Sequence, residues 1–121
     1  MTAIFTYLSA CFFSAHADVW SDFKSKFLKA DGAVIDSSTG NSHSEGQSYG
    51  LIFSVFFNDK ESFDKILAWT DANLYNKETG LYNWAYKRNE ADPVADKNNA
   101  FDGDLMIAFA LIKAGELWND K

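Results

Sequence analysis

Three acids stand where helices are about to begin. Glu45 lies in Ser44-Glu45-Gly46-Gln47, and Asp102 and Asp104 lie in Phe101-Asp102-Gly103-Asp104. Both segments run straight into strongly apolar stretches. Two carboxyl groups brought to one cleft divide acid–base work: one, kept protonated, donates to a leaving oxygen while the other stays ionised. Hydrolysis of a glycosidic bond requires that division. A plainer cause also exists, because a helix N-terminus favours a carboxylate through its dipole, which works against a protonated acid. Burial and like-charged neighbours must outweigh the dipole if Glu45 is to carry a proton, and Asp102 and Asp104 are such neighbours.

The acids need helices to hold them. Val19, Trp20, Phe23, Phe27 and Leu28 recur at helical spacing and predict an amphipathic helix from Asp18 to Ala30, ended by Asp31-Gly32. Val34 and Ile35 predict a short extended piece, and Ser37 to Ser42 a polar loop. Ser44 followed by Gln47 reads as a capping box that opens a helix from Glu45 to Phe57. Glu61 to Tyr75 is amphipathic, Lys77 to Gly80 is a turn, and Leu81 to Tyr86 is extended. Lys87 to Asn99 is a polar loop, and the last helix runs from Asp102 to Trp118. The helices after Glu45 and Asp102 are apolar on nearly every side, which predicts burial on every side. The resulting order of amphipathic, buried, amphipathic, buried suits an all-α fold and favours part of an (α/α) toroid. A four-helix bundle would show four amphipathic helices. Parallel inner helices would bring Glu45, Asp102 and Asp104 to one mouth of the ring.

The 121 residues amount to one domain at most. Apolar residues make up 47% and aromatics 17%, enough for a packed core and for flat rings against pyranose faces. A net charge of −6 disfavours nucleic acid as a partner and sets no barrier to a neutral polysaccharide. Cys11 is the only cysteine, so no intrachain disulfide forms, and no apolar run reaches membrane-spanning length. Ile4 to Phe13 is a short apolar stretch followed by Ala15-His16-Ala17, a small-x-small pattern. It reads as a signal peptide over residues 1–17 cleaved before Asp18, although no Lys or Arg precedes it, and it predicts a periplasmic or secreted protein. Leu8-Ser9-Ala10-Cys11 offers the competing reading of a lipoprotein box.

Two segments carry a family resemblance. Ser44-Glu45-Gly46-Gln47-Ser48-Tyr49-Gly50 resembles the proton-donor segment of glycoside hydrolase family 8. Ala100-Phe101-Asp102-Gly103-Asp104, continued by Ile107-Ala108, Ala110-Leu111, Ala114 and Trp118, resembles that family's signature helix. Asn58-Asp59, Phe63-Asp64, Ile66-Leu67 and Trp69-Thr70 resemble the cellulases encoded with bacterial cellulose synthase. The resemblance spans Val19 to Trp118, and two motifs in the right order are more specific than either alone.

It implies an inverting endo-1,4-β-glucanase acting on β-1,4-glucan, without a cofactor or a metal, working beside the cellulose-synthesis machinery. Glu45 would be the general acid, and Asp102 would hold the sugar at the cleavage point. Tyr49 and Trp84 would bind substrate, and Asp104 would bind it or support Asp102 from behind. By residue type alone Trp84 suits a core equally well, and His43, with no spaced partner, suits a loop better than a metal site. The family's fold is an (α/α)6 toroid, so residues 18–121 would be the N-terminal part of the catalytic domain, about two helical hairpins of six and on the order of a third of the fold, with the inverting base further along. A non-catalytic remnant and a related xylanase, chitosanase or lichenase are the competing functions. The signature departs at Phe101, where Ser or Thr is expected to cap the helix. Phe there would cost about 1 kcal/mol unless another group caps.

Overall fold

The computed structural model describes residues 19–119. The expected leader and cleavage site, and Cys11, lie outside the described residues. Four helices and four two-residue strands follow one another: α1 (19–27), β1 (Ser42–His43), α2 (Ser44–Phe56), α3 (Lys60–Asn73), β2 (Tyr75–Asn76), β3 (Leu81–Tyr82), β4 (Ala85–Tyr86) and α4 (Phe101–Trp118).

Helix α1 stops at residue 27 because the chain there turns extended. Leu28 bridges Val34, and Ile35 in turn bridges Ser42, so the segment between α1 and α2 folds back along itself. Two residues past the end of α2, Asn58 takes a left-handed φ of 54° that its short polar side chain tolerates. Asp59 then caps α3 by accepting from the Ser62 N–H at 3.0 Å. The Asp59 carboxylate also accepts from the Trp20 indole and the Lys24 ammonium, both at 2.9 Å, which binds α1 to the start of α3. Burial pushes its pKa up, but the ammonium, the Ser62 groups and the indole outweigh that and hold it well below the usual carboxylate range.

α2 and α4 run parallel. Gly103, in the first turn of α4, lies against Ser44 in the first turn of α2. At the other end the Trp118 indole donates to Asn58 Oδ1 at 2.8 Å, just past the end of α2. α3 returns antiparallel beside α2. Leu51, Ile66 and Ile107, one from each of these helices, form the core with Phe63, Ala110 and Val34. Gly50 lets α3 approach closely: a Cβ there would stand 2.8 Å from Val34 Cγ2 and 3.0 Å from Ile66 Cδ1.

Two expectations fail here. Helices α2 and α4 are not enclosed on every side: Phe56 is 70% exposed, Phe101 77% and Ile112 62%. They pack on each other, and α2 also packs on α3, leaving their remaining faces open among the described residues. The capping box at Ser44 does not form either. His43 is the extended residue before α2, no side chain caps the helix, and Ser44 is its first turn. The Ser44 hydroxyl, though buried, has no hydrogen-bond partner.

Candidate active site

The first turn of α2 is fixed from two sides. β1 pairs antiparallel with β4, placing His43 opposite Ala85, and the Ser44 N–H donates to the Trp84 carbonyl at 2.9 Å. That bond satisfies one of the free N–H groups of the helix start in place of a side-chain cap. Gln47, freed from capping, turns into the interior with no exposure. Its Oε1 accepts from the Val34 N–H, and its Nε2 donates to Thr70 Oγ1 at 2.8 Å and to the Gly32 carbonyl at 3.3 Å. Gln47 therefore ties α2 both to the 32–34 turn and to α3. Sequence reasoning missed this role, because the Ser44–Gln47 spacing read as a cap.

The first turn of α4 is fixed through the same extended segment. Asp104 Oδ1 accepts from the Tyr82 N–H at 2.9 Å, and its Oδ2 accepts from Asn99 Nδ2 at 2.8 Å. The Trp84 N–H donates to the Asn98 carbonyl at 2.8 Å. The peptide groups flanking Trp84 thus reach the α2 start on one side and the approach to α4 on the other. α4 begins after Ala100, so Phe101 is the first helical residue rather than the cap, and no side chain caps this helix. A hydroxyl at position 101 would lie inside the helix, which removes the expected capping penalty of Phe from that position.

Gly103 brings the two first turns into contact. A Cβ at that position would meet Ser44 Oγ at 2.3 Å, Ser44 Cβ at 3.0 Å and the Glu45 N at 3.1 Å. Glu45 and Asp102 are the acids beside this contact. Glu45 is half-buried, whereas Asp102 is exposed and accepts only from the neighbouring Gly103 N–H at 2.9 Å. One turn along α2, the Tyr49 hydroxyl donates to Glu45 Oε1. That bond, partial desolvation and the charges of Glu45 and Asp102 raise the Tyr49 pKa above its ordinary value. Tyr49 thereby feels both acids at once.

Trp84 is half-buried and outside both core clusters. Its ring stacks on His43 with centroids 5.6 Å apart and planes at 24°, and its indole N–H donates to Asp96 Oδ2 at 2.8 Å. The Asn98 N–H and then the indole hold the Asp96 carboxyl below its usual range. His43 thus serves as a ring partner, and among the described residues no group of three or more His, Cys, Asp or Glu is placed to hold a metal. Asp104 is built into the scaffold, with both oxygens taken by protein donors. An apolar groove of about 450 Å³, lined by Ile52, Phe56, Phe109 and Leu117 among others, lies between the C-terminal halves of α2 and α4, away from Glu45.

Two carboxyl groups on touching helix starts, with a phenol bonded to one of them, are chemically able to donate a proton and to accept from hydroxyl groups. The sequence profile of Glycosyl hydrolases family 8 matches residues 1–121. The chain belongs to family 8.

Family 8 relatives agree in sequence and in shape. An endoglucanase of Cellulomonas uda is 46% identical over 84% of this chain and 29% of its own length. A probable endoglucanase of Novacetimonas hansenii is 43% identical over 84% of the chain and 30% of its own length. The crystal structure of a family 8 endo-β-1,4-glucanase from an Achatina fulica gut metagenomic library superposes with a TM-score of 0.83 at 46% identity, covering 84% of this chain and 33% of that one. The chain therefore spans about a third of the length of the family 8 proteins it matches. Its helices are that share of the (α/α)6 toroid.

Proposed function

We propose that this chain carries the acid half of an inverting endo-1,4-β-glucanase. The observation that supports it is the meeting of Glu45 and Asp102 on touching first turns, with Tyr49 bonded to Glu45 and Trp84 joined to the same helix start. In this reading Glu45 protonates the glycosidic oxygen as its bond to the anomeric carbon breaks. Asp102, exposed and lightly engaged, holds the sugar hydroxyls at the cleavage point. Trp84 offers a ring to a neighbouring glucose. A second carboxylate, on a part of the domain beyond this third, activates water on the opposite sugar face, which inverts the configuration.

Residues 1–17 would act as an export signal, giving a periplasmic or secreted enzyme that trims glucan next to the cellulose-synthesis machinery. The test is hydrolysis of soluble cellulose derivatives by the intact protein, with proton NMR reading the anomer first released. Inversion predicts α-glucose ends from β-1,4-glucan. No turnover would favour a non-catalytic remnant, and preference for xylan, chitosan or mixed-linkage glucan in the same panel would reassign the substrate. Exported protein beginning at Asp18 would support the leader; a lipid on Cys11 would replace it.

A further inference from the structure

Tyr49 and Glu45 lie four residues apart on α2, so their side chains share one face of the helix. The tyrosine hydroxyl takes Glu45 Oε1, and among the described hydrogen bonds Oε2 receives no donor. The two oxygens of this carboxyl are therefore not equivalent. Tyr49 is 39% exposed and its ring stacks on Phe53, at 6.5 Å and 21°, which itself packs edge-on to Phe23 and Trp20. The hydroxyl thus stands on a ladder of rings running from α2 to α1 and is not a loose surface group. The charged group of a neighbouring element whose field reaches Tyr49 is Asp102 of α4.

Resting on the reading of Glu45 as the general acid, we propose that Tyr49 is its positioning residue: by occupying Oε1 it assigns the transferable proton to Oε2 and steadies the charge that appears when the proton leaves. In the reaction, the Oε2 proton passes to the glycosidic oxygen as the bond from that oxygen to the anomeric carbon breaks, its electron pair staying on the oxygen. Water adds to the anomeric carbon and gives its proton to a carboxylate base. Negative charge then spreads over the Glu45 carboxylate, and the hydrogen bond from the Tyr49 hydroxyl to Oε1 strengthens as it does. An interaction that tightens only as charge develops lowers the barrier without improving ground-state binding. This departs from a direct sugar-binding role for Tyr49, which would act on substrate affinity.

Kinetics of Tyr49→Phe in the intact protein separate the two. The expected result on cello-oligosaccharides is a fall in kcat of about 10-fold, the worth of roughly one hydrogen bond to a charged group, with KM unchanged within about 2-fold. On 2,4-dinitrophenyl β-cellobioside, whose leaving group needs no proton, the loss should shrink to about 2-fold or less. A raised KM with unchanged kcat, or an equal loss on both substrates, overturns the proposal. A measurement independent of turnover accompanies it. With ¹³C-labelled tyrosine, the Tyr49 phenol should titrate above its ordinary value and move down in Glu45→Gln, because the carboxylate that holds its proton is gone. An unmoved Tyr49 titration overturns the pairing itself. A moved titration without cellulase activity upholds the pairing and removes only the glucanase reading.

Discussion

Gly103 of α4 lies against Ser44 of α2 so closely that a Cβ on the glycine would stand 2.3 Å from the serine Oγ. Only a hydrogen fits, and the contact sets the spacing of the turns that bear Glu45 and Asp102. Gly103→Ala should force those turns apart and lower stability by about 1–3 kcal/mol, the usual cost of overpacking. Ser44→Ala should return part of that loss in the double variant, since it removes the nearest atom but leaves the 3.0 Å approach to Ser44 Cβ. Denaturant unfolding of the four proteins in the cycle measures the coupling.

Glu45→Gln keeps shape and removes the proton, so turnover of unactivated glucan by the intact protein should fall by about 10²–10⁴-fold with binding retained. Asp102→Asn should weaken both turnover and binding, since its proposed work is holding the sugar. Steady-state kinetics with oligosaccharide affinity measured separately distinguish the two patterns. Near-normal turnover by Glu45→Gln would leave the helix dipole as the better account of that residue.

Buried Gln47 satisfies three groups on two segments, the 32–34 turn and α3. Gln47→Leu has similar bulk but strands the Val34 N–H and the Gly32 carbonyl, and leaves the Thr70 hydroxyl only its own bond to the Ile66 carbonyl. A buried group left unpaired costs about 1–3 kcal/mol, so a loss of roughly 3 kcal/mol or more is expected in urea unfolding. A loss below about 1 kcal/mol would mean that water replaces the amide.

Asp59, paired with Lys24, has its carboxyl held low in the folded chain. A depressed folded pKa contributes stability that is present above the unfolded value of about 3.9 and is lost as pH falls through the folded value. Asp59→Asn keeps a good helix cap and removes the charge. The variant should therefore be less stable than the parent at neutral pH, and the gap should narrow as pH drops below about 4. Parallel unfolding curves across that range check the sign.

Phe101, Leu105, Phe109 and Ile112 form an exposed apolar stripe along α4. The 121-residue chain on its own should bind a hydrophobic dye and associate in a concentration-dependent way. Sedimentation of a variant with Leu105 and Ile112 changed to Lys should show less association.

Amino-acid order alone was enough to place the helices within one to three residues, because apolar spacing and the turn residues at Gly32, Asn58 and Gly80 are local signals. It also carried the family, through two motifs about a helical hairpin apart, and hence the three acids. What it could not settle were choices between competing partners. Ser44 and Gln47 match a capping box, yet Gln47 is taken by the unpaired backbone of the 32–34 turn and by Thr70, while the Trp84 carbonyl receives the Ser44 N–H; burial makes those bonds costlier to forgo than a cap. Trp84 suits a core by residue type, but the pairing of β1 with β4 leaves it half-buried, outside both core clusters and stacked on His43. The all-round apolar character of α2 and α4 foretold enclosure, but a pattern records which surfaces need cover and not which neighbours are present to give it. Only the folded chain decided that Gly103 meets Ser44, and so that acids far apart in sequence share one end of two parallel helices.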